Sequence, residues 1–257
     1  MDLRFMFDED VVNYDKMRPT YVKELFDDVI KFSKVNDSKA ALEIGVGTGQ
    51  ATMPFLQTGC TIEAIEIGNN MAEFVKHKYA KHKNFYVTNA DFGDAKLSSD
   101  SYDLIYSATA FHWIPQEIGY PKIFDLLKSG GTLALFWNHP YPYKSDEFYI
   151  KMQEIYSKYQ TGIKSTVHRF SEDKCFDIVE TIGQYGFIDI EYKVYHHTRV
   201  LTAQQYMSLL NTYSDHRAAF ESESRKALEA ELTDVINQYG GTVEIQDTMD
   251  LYLARKP

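Results

Sequence analysis

Residues 40 to 50 read Ala-Ala-Leu-Glu-Ile-Gly-Val-Gly-Thr-Gly-Gln, an apolar run that reaches Glu43 and then carries glycines at alternate positions, Gly45, Gly47 and Gly49. No other stretch constrains the chain as strongly. Glycine has no Cβ, so three of them in five residues let a strand turn sharply into a helix while bare backbone N–H groups approach a bound group. Such a strand–loop–helix unit is at home in α/β folds that cradle nucleotide-like ligands, and the same residues also suit a tight turn with no ligand. Spacing narrows the choice. A G-x-G-x-x-G dinucleotide fingerprint needs its third glycine three residues after the second, where this chain has Gln50.

Three later segments extend the pattern. Thr61 to Met71 alternates as a strand and stops at Glu66, seventeen residues after Gly49, with Ile67 next in line. A carboxylate at a strand's end can accept hydrogen bonds from both hydroxyls of a ribose; an exposed strand-end charge is the plainer alternative. Asn70 with Glu73 reads as a helix start, after which Met71, Phe74, Val75 and Tyr79 recur at helical spacing. The third segment, Asn84 to Phe92, ends in Asp91 beside Phe92, an acceptor and a flat ring suited to an adenine edge and face, or simply a turn. The fourth, Tyr102 to Ile114, runs from a buried-looking strand into the small residues Ser107 and Ala108 and then an aromatic cluster with His112 and Trp113.

An acidic residue two before G-x-G-x-G, together with Ala110-Phe-His-Trp-Ile and Tyr14-Asp-Lys-Met-Arg18-Pro19-x-Tyr21, resembles the class I S-adenosylmethionine-dependent methyltransferases. Within them it is similar to the type 11 small-molecule kind, which includes relatives of trans-aconitate methyltransferase, and the likeness runs from about residue 5 to the C-terminus. The resemblance implies S-adenosyl-L-methionine as cofactor and S-adenosyl-L-homocysteine as product. It further implies that Tyr14, Arg18, Glu43, Gly45, Gly47, Gly49, Glu66, Ile67, Met71, Asp91, Phe92, Ser107 and Ala108 surround the cofactor. In that picture Arg18 pairs with the methionine carboxylate; otherwise Arg18-Pro19 is a helix entry with proline in its first turn.

Alternating β and α signals predict a doubly wound, seven-stranded, mainly parallel Rossmann-like sheet with an antiparallel C-terminal hairpin. Helices are expected near 20–34, 49–57, 70–81 and 117–128, and strands near 40–45, 61–66, 85–88, 102–107 and 132–137. Further helices fall near 144–160 and 171–184, and two alternating runs, 187–199 and 240–254, supply the hairpin. Residues 1–137, 171–201 and 240–257 are then the core, with 138–170 and 202–239 as helical cap insertions for substrate. Tyr21, His112, Trp113, Asn138, Tyr213 and Arg217 are the candidate substrate residues; Arg217 has the planar fork that matches a carboxylate, or serves a surface salt bridge.

Methyl transfer from a sulfonium demands alignment more than activation, so His112 is expected either as a base or as a pocket-wall residue that hydrogen-bonds a ligand. Adjacent His196 and His197 point to opposite faces of a strand, no metal spacing appears, and no metal is expected. A net charge of −10 argues against a general nucleic-acid or anionic-membrane surface, and no apolar run nears the ~20 residues that span a bilayer. Two isolated cysteines and an acidic N-terminus lead to the expectation of a reduced, cytoplasmic protein acting on a small molecule, its oligomeric state unknown. The leading expectation is methyl transfer to a carboxylate or hydroxyl oxygen. A nucleotide-cofactor oxidoreductase and a non-catalytic module that only binds the cofactor are the competing readings.

Overall fold

A computed structural model describes residues 8–143, 145–159, 170–213, 216 and 222–257. Its strands are β1 (Ala40–Ile44), β2 (Thr61–Glu66), β3 (Phe85–Asn89), β4 (Tyr102–Ala108), β5 (Leu127–Pro142), β6 (Ile188–Thr202) and β7 (Thr242–Arg255). They form one sheet in the order β3-β2-β1-β4-β5-β7-β6. The first five are parallel, with Glu43 beside Ala64, Glu66 beside Asn89 and Ala108 beside Phe136. β7 runs against β5, as reciprocal backbone bonds between Gly130–Gly131 and Lys256 show, and with β6 it forms the antiparallel hairpin. The strand order reverses between β1 and β4, and in such sheets ligands bind at that switch, beyond the carboxyl ends of the strands.

The helices are α1 (Val11–Met17), α2 (Lys23–Ser33), α3 (Thr52–Leu56), α4 (Asn69–Lys78), α5 (Gln116–Leu126), α6 (Asp146–Tyr159), α7 (Asp173–Gln184), α8 (Ala203–Leu210) and α9 (Ser222–Gln238). The described chain divides into two compact units. Pro19–Asn138, Ser171–Tyr195 and Met249–Pro257 make the sheet unit. Described residues of Met1–Arg18, His139–Phe170 and His196–Thr248 make the second, helical unit.

In the sheet unit β1 is buried on both faces, as a central parallel strand must be. Leu25, Phe26 and Val29 of α2 lie on one helical face and pack with Phe55, Tyr106 and Phe136. Edge-to-face rings organise this core, with Phe26 to Phe55 at 5.7 Å and Tyr21 to Phe136 at 4.8 Å between centroids. Each such side chain contributes roughly 1.5–3 kcal/mol by leaving water.

Two local expectations change. Pro19 stands between α1 and α2 and outside the first turn of either; Arg18 caps α1 with extended backbone (ψ 135°), the conformation favoured before proline. Helix α4 begins behind Gly68 and not at an Asn70 cap, because Glu66 Oε1 accepts the Gly68 N–H at 2.8 Å and sets the turn two residues earlier.

The helical unit has its own core, in which Phe148 and Met152 of α6, Tyr206 and Leu210 of α8, Leu228 and Leu232 of α9, and Val243 and Ile245 of β7 meet. A capping box between Thr202 and Gln205 opens α8. Asn13 of α1 donates to the Ser208 carbonyl at 2.9 Å, and Arg199 is paired through two nitrogens with the buried carboxylate of Asp247. Among the described residues no helix is long and apolar enough to cross a membrane, and no His, Cys, Asp and Glu cluster could hold a metal ion.

Candidate functional site

The residues singled out by sequence pattern in the sheet unit converge on the carboxyl ends of β1, β2, β3, β4 and β5. At the end of β1 all three glycines have positive φ, +70° at Gly45, +54° at Gly47 and +83° at Gly49, which L side chains rarely adopt. Gly45 also faces a steric limit: a Cβ there would stand 2.4 Å from the Ala110 Cβ, so the loop touches the chain beyond β4 because nothing projects. Gly45 N–H donates to the Ile65 carbonyl at 2.9 Å, and the Gly49 carbonyl accepts from the Tyr79 hydroxyl at 2.8 Å. These bonds tie the loop to β2 and α4.

Glu66 is the hinge of the arrangement. Its Oε2 accepts the Gly47 N–H at 2.7 Å and its Oε1 accepts the Gly68 N–H at 2.8 Å, so one carboxylate at the tip of β2 joins two loops. It is buried. Asn89 of β3 donates to the carbonyls of Glu66 and Ile67, fixing the neighbouring strand tip. Two residues farther, Asp91 accepts the Gly93 N–H at 2.8 Å in a tight turn, and the ring of the buried Phe92 lies 5.1 Å from the Lys122 ammonium.

Glu43 has a different setting from Glu66. Its side chain lies beneath the loop, 1% exposed, where Oε2 accepts the hydroxyls of Thr52 at 2.7 Å and Tyr106 at 2.8 Å. Burial pushes its carboxyl up to about 7, the two hydroxyl donors oppose that rise, and the nearby Glu66 charge adds to it. The same burial, with Glu43 alongside, holds the Tyr106 hydroxyl well above its ordinary range. Ser107 likewise faces the protein, donating to the Ile44 carbonyl at 2.8 Å, and Met71 is buried in α4. Ala108 is half-buried at the end of β4.

Beyond β4 the backbone is strained. Thr109 sits at φ +51°, rare for a β-branched residue, and is held there on three sides. Its N–H donates to the Phe136 carbonyl at 2.8 Å, its hydroxyl meets the Tyr21 hydroxyl at 2.6 Å, and it accepts the Asn138 N–H at 3.2 Å. Tyr21 and Asn138 thereby join the ends of β4 and β5. The turn Phe111–Trp113 follows, with the exposed His112 ring 5.1 Å from Trp113 and its Nδ1 accepting the Trp137 indole N–H at 3.0 Å.

Tyr14, Arg18 and Tyr213 belong to the helical unit. There the Arg18 guanidinium lies over both rings, 4.8 Å from Tyr14 and 4.3 Å from Tyr213, and donates to the Thr212 carbonyl at 2.8 Å. Arg217 lies outside the described residues. Sequence reasoning missed Thr52, Tyr106, Thr109 and Trp137. Only Trp137 carried a signal, as the last apolar residue of an expected strand.

A wide groove of about 620 Å³ also exists, lined by Phe124, Tyr185, Gly186 and Lys256 among others. It opens where β5 begins, at the end of the sheet away from these strand tips. The clustering of glycines, carboxylates and strained backbone at the strand tips is what marks the candidate site.

Residues 42–135 match the family described as a methyltransferase domain. A Schizosaccharomyces pombe protein, named an uncharacterized methyltransferase-like protein, is 26% identical over 235 residues, covering 89% of this chain and 85% of that one. A Saccharomyces cerevisiae protein, named a probable S-adenosylmethionine-dependent methyltransferase, is 29% identical over 57% of this chain and 50% of its own length. Among solved structures, phosphoethanolamine N-methyltransferase 2 of Haemonchus contortus, in complex with phosphomonomethylethanolamine and S-adenosylhomocysteine, aligns with a TM-score of 0.58 at 17% identity. That alignment covers this whole chain but 60% of the other. The YcgJ protein of Bacillus subtilis aligns with a TM-score of 0.56 at 13% identity, over 91% of this chain and 99% of that one. At these identities the structures show a shared fold.

Proposed function

We propose that this chain is a class I S-adenosylmethionine-dependent methyltransferase, a reading that the methyltransferase-domain match over residues 42–135 supports, and that it transfers a methyl group to a small-molecule acceptor at a carboxylate or hydroxyl oxygen. The observation that carries the reading is the Glu66 carboxylate at the tip of β2, fastened to Gly47 and Gly68 beside a loop of left-handed glycines. A carboxylate offers about four acceptor positions, so ribose hydroxyls fit it in addition to two backbone N–H groups. A phosphate there would meet its charge. Asp91 and Phe92 supply an acceptor and an apolar wall for the adenine, and the Gly45–Ala110 approach keeps the floor bare.

The cofactor supplies a methyl group already activated on a sulfonium. With the cofactor bound, an acceptor oxygen's lone pair would form the new carbon–oxygen bond as the carbon–sulfur pair left with sulfur; a carboxylate acceptor would need no proton removed, whereas a hydroxyl acceptor would have to release its proton to solvent or a base. The protein's task is alignment in a dry site, an effect of roughly 7–11 kcal/mol in the ideal case. Thr109, Tyr21 and Asn138 hold the β4 and β5 tips together, so the loop carrying His112 and Trp113 presents a fixed wall to the acceptor.

An oxidoreductase reading has less support, because Gln50 occupies the place of the third fingerprint glycine, with its side chain bonded to Thr48. The deciding experiment incubates the protein with methyl-labelled S-adenosylmethionine and cell extract. Label in a small molecule is the expected result. Label only in protein or RNA overturns the acceptor class, and tighter binding of NAD than of S-adenosylhomocysteine overturns the cofactor.

A further inference from the structure

The Trp137 indole Nε1 approaches His112 Nδ1 at 3.0 Å. An indole nitrogen can only donate, so Nδ1 must present its lone pair, and a neutral imidazole then carries its one proton on Nε2. We propose that Trp137 is a positioning residue that fixes His112 in this tautomer, so that His112 acts as a hydrogen-bond donor to the methyl acceptor and not as its general base. The inference rests on the methyl-transfer reading for its substrate, and on the His112–Trp137 contact alone for its tautomer.

The contact is built into the sheet. β4 and β5 are parallel with Ala108 beside Phe136, so the residue that ends the apolar run of β5 meets the turn that follows β4. The indole is itself steadied by Tyr252 of β7, edge-on at 5.8 Å between centroids and 70° between planes. Bringing a proton to Nδ1 would set two N–H donors against each other, so the ring's only lone pair is already committed. A base is therefore the role His112 is least suited to. The Nε2–H donor suits an acceptor whose second carboxylate oxygen takes that hydrogen bond while the first attacks the methyl carbon. Because a carboxylate is ionised at neutral pH, no base is missing from such a site.

Nitrogen-15 NMR of the histidine rings at about pH 8, above the ordinary histidine range, tests the tautomer directly. His112→Gln identifies the His112 signals by their disappearance. The expected wild-type result is a pyridine-like Nδ1 and a pyrrole-like Nε2, and Trp137→Phe, which keeps a ring against Tyr252, should shift the population toward the Nδ1–H form. The second arm measures label passed from S-adenosylmethionine to the small-molecule fraction of cell extract. His112→Gln places an amide N–H near Nε2 but offers no base, and should stay within about tenfold of wild type, whereas His112→Ala should lose roughly 10- to 150-fold, the worth of a hydrogen bond to a charged group. A protonated Nδ1 in the wild type overturns the proposal, as does a glutamine variant no better than alanine. If no small molecule is labelled by wild type, the methyl-transfer reading fails and the spectrum still decides the tautomer.

Discussion

Replacing Glu43 by Gln should make the protein more stable at pH 8 and leave it nearly unchanged at pH 4.5. Glu43 is buried beneath the glycine loop with a carboxyl raised from 4.5 to about 7, chiefly by burial. Between those values the unfolded chain releases a proton that the folded chain keeps, so folding stability falls as pH rises. The favourable state is complete below the unfolded value and lost as pH climbs through the folded one. A carboxyl held at about 7 in place of 4.5 corresponds to about 3 kcal/mol. Gln keeps a carbonyl oxygen for Thr52 and Tyr106, which both donate to one carboxyl oxygen of Glu43, while removing the ionisation. Urea unfolding at half-unit steps from pH 4.5 to 8.5 should therefore give two curves that nearly meet at the acid end and diverge steadily to about pH 7. Parallel curves would show that Glu43 does not change its protonation on folding, and the account of its burial would be wrong.

Glu66→Ala should weaken binding of S-adenosylhomocysteine by about 1.5–3 kcal/mol in calorimetry, the worth of hydrogen bonds to a charged group; unchanged affinity would remove Glu66 from the site. Gly45→Ala should cost roughly 1–3 kcal/mol in urea unfolding and abolish cofactor binding, because a left-handed backbone and a Cβ only 2.4 Å from the Ala110 Cβ both oppose it. A variant that folds and binds as wild type does would mean the loop is not held as described. Asp103 sits where burial pushes its carboxyl up but hydrogen bonds from Lys128, Lys39 and the Ala40 N–H together bring it below the usual range. Asp103→Asn should then cost about 1–2 kcal/mol at neutral pH and progressively less as acid protonates the wild-type carboxylate, with denaturant midpoints at pH 7 and pH 3 as the check.

The sheet was legible because β1, β2 and β3 lead into glycine or a carboxylate, β4 is an apolar run that opens into small residues and β5 one that follows paired glycines, and parallel topology brings the ends of these strands together whatever fills the space between. Elements whose stability comes from elsewhere in the chain were not legible. Helix α1 opens with two β-branched valines and spans seven residues, too short to stand alone; beyond an Asp10 cap, it is anchored to α8 through Asn13 and Ser208, 195 positions away. β5 runs from Leu127 to Pro142 although Gly130-Gly131 and two prolines punctuate it, because β7 pairs with it from Lys256 to Glu244.

Within the candidate site the same division holds at the level of atoms. A residue type at a strand tip says which group is available and leaves open which way it is turned. Glu43 and Glu66 stand at the ends of adjacent strands with identical side chains, yet one is turned down onto Thr52 and Tyr106 and the other is gripped by backbone N–H groups of two loops. Thr52 and Tyr106 decide that difference, and neither carries a motif. His112 shows the same dependence more sharply. Its place after β4 follows from the chain pattern, but the location of its proton depends on Trp137, twenty-five residues on and brought alongside only because β4 and β5 pair in parallel. Chemistry at a switch-point site is thus set by contacts between strand tips, and those contacts are the part that a linear pattern of residues carries least.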